Sequence, residues 1–264
     1  MKLGYTILYV EDVAKTLAFY EQAFGLKRKS LHEDGTGGSF GELDTGSASL
    51  AFTSHSMMKQ LGKNPSFPDS EAPCFEFALL TDDIAAALKR AVQAGARLVQ
   101  DVREAPWGQF AYVADPNGFL VDIFFERPST DGTNGSPSEY LTILYVEDVA
   151  RTLAFYEQAF GLKRKRLCES GDFAELDTGS TTLTFVSRTA MAQFGIHPSP
   201  PKLGAPCFEV ALETDEVAAA LERAVQAGAR LVQDVEEMPW GQTTAYVADP
   251  DGFLVEICSP ITST

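Results

Sequence analysis

Histidine and cysteine are scarce in this chain: three and four among 264 residues. The imidazoles, His32, His55 and His197, are scattered and form no metal-ligand spacing, so each is expected on the solvent side rather than at a metal. Cys74, Cys168, Cys207 and Cys258 contain no CxxC pair, which argues against a zinc ribbon or a disulfide framework and leaves free thiols. Basic residues are also in the minority, 21 Lys and Arg against 37 Asp and Glu. A formal charge of -16 excludes ordinary nucleic-acid binding, which depends on clustered cations. It is compatible with a cationic ligand, although acidic surfaces chiefly aid solubility. Apolar runs never approach the 18 residues of a membrane span, and "MKLGYTILYVEDVAK" turns acidic where a signal peptide would stay apolar; the expected location is the cytoplasm. A GxSxG elbow, a matched Cys-His pair and a phosphate-cradling loop are all missing, since "EDGTGGSFG" lacks the lysine and helix of a P-loop.

What is present is a repeat. "TILYVEDVAKTLAFYEQAFGLKRKSL" from Thr6 returns as "TILYVEDVARTLAFYEQAFGLKRKRL" from Thr142, and "AVQAGARLVQDV" occurs in both halves. Two domains follow, 1–126 and 140–264, joined by a polar Pro/Gly/Ser linker over 127–139. Each half holds a fainter repeat, with modules at about 1–58, 72–126, 140–190 and 205–260. "YTILYV" alternates as a strand does, Asp12 caps a helix with Val13, Leu17, Tyr20 and Phe24 at helical spacing, and Gly25 ends it. Three short strands follow. The second module repeats the order, with a helix presenting Ile84, Leu88, Ala91 and Val92, a closing Gly95, and a turn at Asp115 to Gly118. The predicted class is α+β, four βαβββ modules.

Two features of this repeat carry chemistry. Trp107 and Trp240 each stand between Pro and Gly in a loop, where a tryptophan serves recognition more often than packing. A flat indole there offers stacking area and a cation-π face worth ~0.5–2 kcal/mol. Glu76 and Glu209 interrupt the apolar strands "CFEFALL" and "CFEVALE". An isolated buried carboxylate is costly, so each must face a cleft, reach solvent on the outer face, pair with a cation or take up a proton.

The module order, "ILYVEDVAKTLAFYEQAFGL", "PWGQ" and "DPNGFLVDI" resemble the vicinal oxygen chelate superfamily, which holds glyoxalase I, extradiol dioxygenases and bleomycin-resistance proteins. The resemblance implies curved mixed sheets around a cleft, and a tandem chain that forms a pseudo-dimer by itself or pairs as a homodimer. It also implies where family enzymes hold a metal. The first-strand positions here are Tyr5 and Leu141, the second-module equivalents are Glu76 and Glu209, and the last-strand carboxylates are Asp122 and Glu256. The comparable first-module places lie near Ser49 and Thr182, which are poor ligands. With no histidine at any of them, the leading expectation is a metal-free binding protein of the bleomycin-resistance type. It would hold a flat, cationic small molecule, an antibiotic among the candidates, on Trp107, Trp240, Phe40 and Phe173, with Glu76, Glu209 and Tyr5 lining the cleft. The alternative is a glyoxalase- or dioxygenase-like enzyme whose divalent ion sits on Glu76 with Asp122 and Glu209 with Glu256.

Overall fold

The computed structural model describes residues 1–46, 49–105, 108–127, 140–179, 181–202 and 204–260. The first module runs β1 (Lys2–Val10), α1 (Val13–Phe24), β2 (Lys27–Glu33), β3 (Ser39–Asp44), β4 (Ser49–Ser54) and a short α2 (His55–Gln60). The second runs β5 (Phe75–Leu80), α3 (Ile84–Gln93), β6 (Arg97–Ala105), β7 (Gly108–Ala114) and β8 (Leu120–Glu126). The third repeats the first as β9 (Tyr140–Val146), α4 (Val149–Phe160), β10 (Lys163–Leu167), β11 (Phe173–Asp177), β12 (Thr182–Ser187) and α5 (Arg188–Ala192). The fourth is β13 (Phe208–Glu213), α6 (Val217–Gln226), β14 (Arg230–Glu237), β15 (Thr243–Ala248) and β16 (Leu254–Cys258).

The caps follow the predicted chemistry. Asp12 accepts the amide proton of Lys15, and Gly25 takes the left-handed conformation at φ 73° that a side chain would disfavour. On α3 the buried face is Ile84, Ala87, Leu88 and Ala91; Val92, expected there, is 43% exposed because it falls about 90° from the centre of that stripe. The linker lies outside the described residues apart from Arg127.

The modules pair across the halves. One sheet has the order β14-β15-β16-β13-β1-β4-β3-β2, the other β10-β11-β12-β9-β5-β8-β7-β6. Each is mixed, parallel at β1–β4 and β13–β16 and antiparallel at the central β1–β13 seam, and likewise in its twin. The helices pair within halves instead. Tyr20 of α1 donates to Asp115 in the second module's turn at 2.8 Å, and Tyr156 of α4 to Asp249 at 3.1 Å. The main core lies between helices and sheets, and it continues from one sheet to the other, where Phe75 and Phe208 stack and the Thr6 and Thr142 hydroxyls meet at 2.7 Å. Alternation along the strands sends every second residue to the opposite sheet face. There two small apolar clusters form under α2 and α5, and they frame two candidate sites.

Candidate functional site

Site A, on the first sheet, contains two acids, two phenols and one lysine. Glu209 on β13 stands opposite Ile7, so it shares a face with Ile7, Tyr9 and Ala51. Tyr9 donates its hydroxyl proton to Glu209 Oε2 at 2.5 Å, and Lys63 Nζ donates to the same oxygen at 2.8 Å. The ammonium also lies 3.6 Å from the centroid of the Tyr246 ring, whose hydroxyl donates to Glu256 Oε1 at 2.7 Å. Lys63 arrives from the loop after α2, and its side chain is 12% exposed against 2% for Glu209. Burial and the nearby Glu209 charge push the Glu256 carboxyl up to about 7, while Lys63 and Tyr246 restrain it. Two further acids at the margin carry lysines of their own: Glu42 with Lys29 and Glu213 with Lys2, each at 2.7 Å.

Site B, on the second sheet, keeps the acids and phenols and loses the cation. Glu76 stands opposite Ile143, as Glu209 does opposite Ile7, and it is accompanied by Asp122, Tyr112 and Tyr145. The place of Lys63 is taken by Ile196, which packs in an apolar cluster with Phe110, Met191 and Phe194. Phe110 meets Phe194 and Tyr112 edge-on at 5.6 Å. Burial pushes the Glu76 carboxyl up to about 7, with the Tyr145 and Tyr112 phenols beside it tempering the rise. Asp122 is raised well above the usual carboxylate range, by burial first and by the Glu76 charge second. Glu76 Oε2, Asp122 Oδ1 and the Tyr145 hydroxyl are buried and complete no hydrogen bond. Such orphaned atoms are rare in folded proteins and call for a water, an ion or a ligand.

The four carboxylates singled out in the sequence therefore come together in pairs, Glu209 with Glu256 and Glu76 with Asp122. The outer-face placement of Glu76 and Glu209 does not occur; both are 2% exposed on the face away from the long helices. Tyr5 lies half-buried at the margin of site A, its phenol raised by burial and by Glu42 and Glu213. Phe40 packs on the site A cluster. Phe173 is half-buried on β11, with the Arg166 guanidinium 5.7 Å from its ring. Trp240 is 48% exposed and donates its indole proton to Gln242 at 3.0 Å, so its one hydrogen-bonding group is directed at its own loop rather than at Glu209 or Glu256. Trp107 lies outside the described residues. Ser49 is committed to Glu42 and Lys29, and Thr182 to Lys165.

One histidine expectation fails. His55 is buried, because it opens α2 beneath Phe67 and its Nε2 lies 3.2 Å from the Tyr9 carbonyl; His32 and His197 are exposed as expected. The residues that sequence reasoning missed are Tyr9, Tyr246, Tyr112, Tyr145, Lys63 and Ile196. Tyr9 carried a signal, since it lies four residues after Tyr5 on the same strand face. Lys63 carried none, being one lysine in a loop.

A divalent ion needs several oxygen or nitrogen donors, and the two sites differ on that test. In site A an ammonium already neutralises Glu209, so the residues present do not fit an ion. In site B two carboxylates with free oxygens and a neighbouring phenol fit Mg²⁺ or Mn²⁺, which are commonly held by one or two carboxylates plus waters. Among the described residues no group of three or more His, Cys, Asp or Glu converges, so a zinc site of protein ligands alone is not built.

Paired βαβββ modules with buried acids facing away from the helices define a class of small-molecule-handling folds. The chain belongs to the Glyoxalase/Bleomycin resistance protein/Dioxygenase superfamily, whose family model matches residues 2–123 and 140–257. It is similar to CFP32 of Mycobacterium tuberculosis, named as a putative glyoxylase, at 23% identity over 202 residues, 74% of this chain and 73% of that protein. One half is similar to the lactoylglutathione lyase of Neisseria meningitidis serogroup B, at 30% identity over 124 residues, 44% of this chain and 85% of the lyase. The fold matches the crystal structure of glyoxalase I from Zea mays with a TM-score of 0.74 at 18% identity, covering 98% of this chain and 92% of that one.

Proposed function

We propose that the chain is a glyoxalase-type enzyme whose working centre is site B, with a divalent, oxygen-preferring ion held by Glu76 and Asp122. The observation that carries this reading is the pair of buried carboxylate oxygens with no hydrogen-bond partner, in a site lacking any internal cation among the described residues. An ion there would act as a Lewis acid on a substrate oxygen. The chain's own residues do the rest. Glu76 and Asp122 would hold the ion through their free oxygens, with the Tyr112 and Tyr145 phenols beside Glu76. Phe110, Phe194 and Ile196 exclude water and receive an apolar part of the substrate. Kinship with lactoylglutathione lyases supports that activity as the first to assay, and the four free thiols support the reducing cytoplasm as its location.

Calorimetric titration with Mn²⁺ and Mg²⁺, followed by assay for lactoylglutathione lyase, tests the proposal. One saturable ion site, lost together with turnover in Glu76→Gln and Asp122→Asn, is the expected result; turnover unchanged after exhaustive chelation overturns it.

A second reading, sequestration of a flat cationic guest without chemistry, is supported by Trp240, whose ring stands 48% exposed on an acidic protein. A saturable change in indole fluorescence on titration with bleomycin would favour it, and a Trp240→Ala chain with unaltered binding would remove it.

A further inference from the structure

The two sites are internal copies of one another, and each reveals something about the other. Tyr9, Glu209, Tyr246 and Glu256 in site A correspond to Tyr145, Glu76, Tyr112 and Asp122 in site B. The loops that close them share a backbone. Gly62 and Gly195 both adopt positive φ, at 75° and 81°. The next residue, Lys63 or Ile196, returns its amide to the carbonyl of Met58 or Met191. Ser66 and Ser199 then bind across the seam, to Pro206 and Ala205 in one copy and to Pro73 and Ala72 in the other. On this common frame a single side chain decides the electrostatics: an ammonium enters site A, and a sec-butyl group enters site B.

We propose that Lys63 is a tethered cation that closes site A to external cations, so that one chain offers a single divalent-ion site, site B. The geometry is that of an occupied cage. The ammonium contacts a carboxylate oxygen at 2.8 Å and an aromatic face at 3.6 Å, and its side chain is nearly withdrawn from solvent. Both are favourable ammonium contacts, and the first, with the Tyr9 hydroxyl on the same oxygen, pairs the buried Glu209. In site B no lysine or arginine among the described residues takes this role, and Glu76 Oε2 and Asp122 Oδ1 are left without a hydrogen-bond partner. A second ion site thus lies latent beneath Lys63.

The inference rests on the proposed ion in site B for its contrast, yet the experiment separates the two. Lys63→Ile places in site A the residue that the same loop already accommodates in site B, so the variant retains a backbone-compatible side chain. Mn²⁺ binding is measured by calorimetry on the full chain, wild type and Lys63→Ile, each also combined with Glu209→Gln and with Glu76→Gln. Circular dichroism confirms that each variant is folded, and Lys63→Met replaces Lys63→Ile if that chain is not. The expected result is one Mn²⁺ per wild-type chain, abolished by Glu76→Gln and untouched by Glu209→Gln, rising to two in Lys63→Ile, with the second abolished by Glu209→Gln. A wild-type site lost through Glu76→Gln with no gain in Lys63→Ile overturns the tethered-cation proposal and leaves the function of site B standing. A gain in Lys63→Ile without any wild-type binding sustains the role of Lys63 and removes the ion from site B. Two wild-type sites, or a wild-type site lost through Glu209→Gln, overturn the proposal outright.

Discussion

Phe75 and Phe208 stack face to face with ring centroids 3.5 Å apart and an 18° tilt, at equivalent positions of the two halves. Each opens the strand that crosses the seam, and each also meets a phenylalanine of its own half edge-on, Phe119 or Phe253 at 5.9 Å. The contact therefore couples the two sheets through one pair of rings. Truncating either ring to alanine is expected to cost ~3–5 kcal/mol, as for other buried phenylalanines. The double variant should cost less than the sum, because the second truncation removes a ring whose partner has gone. Urea denaturation of the four chains measures the coupling; strict additivity would mean that the stack contributes nothing of its own.

Acid pairs buried on both sheets make stability fall as pH rises. Glu76 and Glu256 ordinarily titrate near 4.5, and burial lifts both to about 7 in the folded chain. Below pH 4.5 the folded and unfolded chains hold these protons equally. Between 4.5 and 7 the folded chain alone retains them, and above 7 neither does, so the stabilisation is lost progressively across that window. Every tenfold gain in proton affinity on folding corresponds to about 1.4 kcal/mol. The urea midpoint should accordingly be higher at pH 5.5 than at pH 8.5, and Glu76→Gln should flatten the slope. A midpoint that rises over this range would contradict the burial of these acids.

Helix α6 lacks the cap that its three counterparts possess. Asp12, Asp83 and Asp148 each accept a first-turn amide proton, whereas Glu216 at the same place of the fourth module makes no such bond. The glutamate side chain is one methylene too long to fold back on its own helix. Glu216→Asp is expected to stabilise the chain by ~0.5–1 kcal/mol. Thermal unfolding checks this, with Asp83→Glu as the mirror change and an opposite shift expected.

Much of this architecture was legible because it is written in local chemistry. The Asp12 cap, the Gly25 stop and the alternation of "YTILYV" are each decided within a few residues, and the near-identity of the halves extends them to the whole chain. The buried acids were legible for a similar reason, since Glu76 and Glu209 interrupt apolar strands. The cross-half pairing of β1 with β13 was not, because four similar modules carry no local mark of which neighbour each will take. The short helices α2 and α5 were not anticipated, and α2 buries His55 against expectation. The difference between the sites was hidden deepest: it depends on Lys63 reaching Glu209, 146 residues away, and on Ile196 failing to.

Asp122 gives the sharpest test of whether site B is held for stability or for function. Its carboxyl is buried beside Glu76, has one oxygen without a partner and faces no cation among the described residues. Such a group destabilises the folded chain whenever it is charged, and asparagine of nearly the same shape removes that cost. Asp122→Asn should leave the chain as stable as wild type at pH 5.5 and more stable at pH 8.5. The same change should abolish Mn²⁺ binding and turnover, because one free oxygen donor is replaced by an amide. Glu256→Gln in site A should differ: Glu256 already accepts the Tyr246 proton and benefits from Lys63, so the variant should leave Mn²⁺ binding intact. Unfolding at both pH values together with calorimetry distinguishes the outcomes. A destabilised Asp122→Asn chain that still binds Mn²⁺ would assign the residue to the scaffold instead of the site.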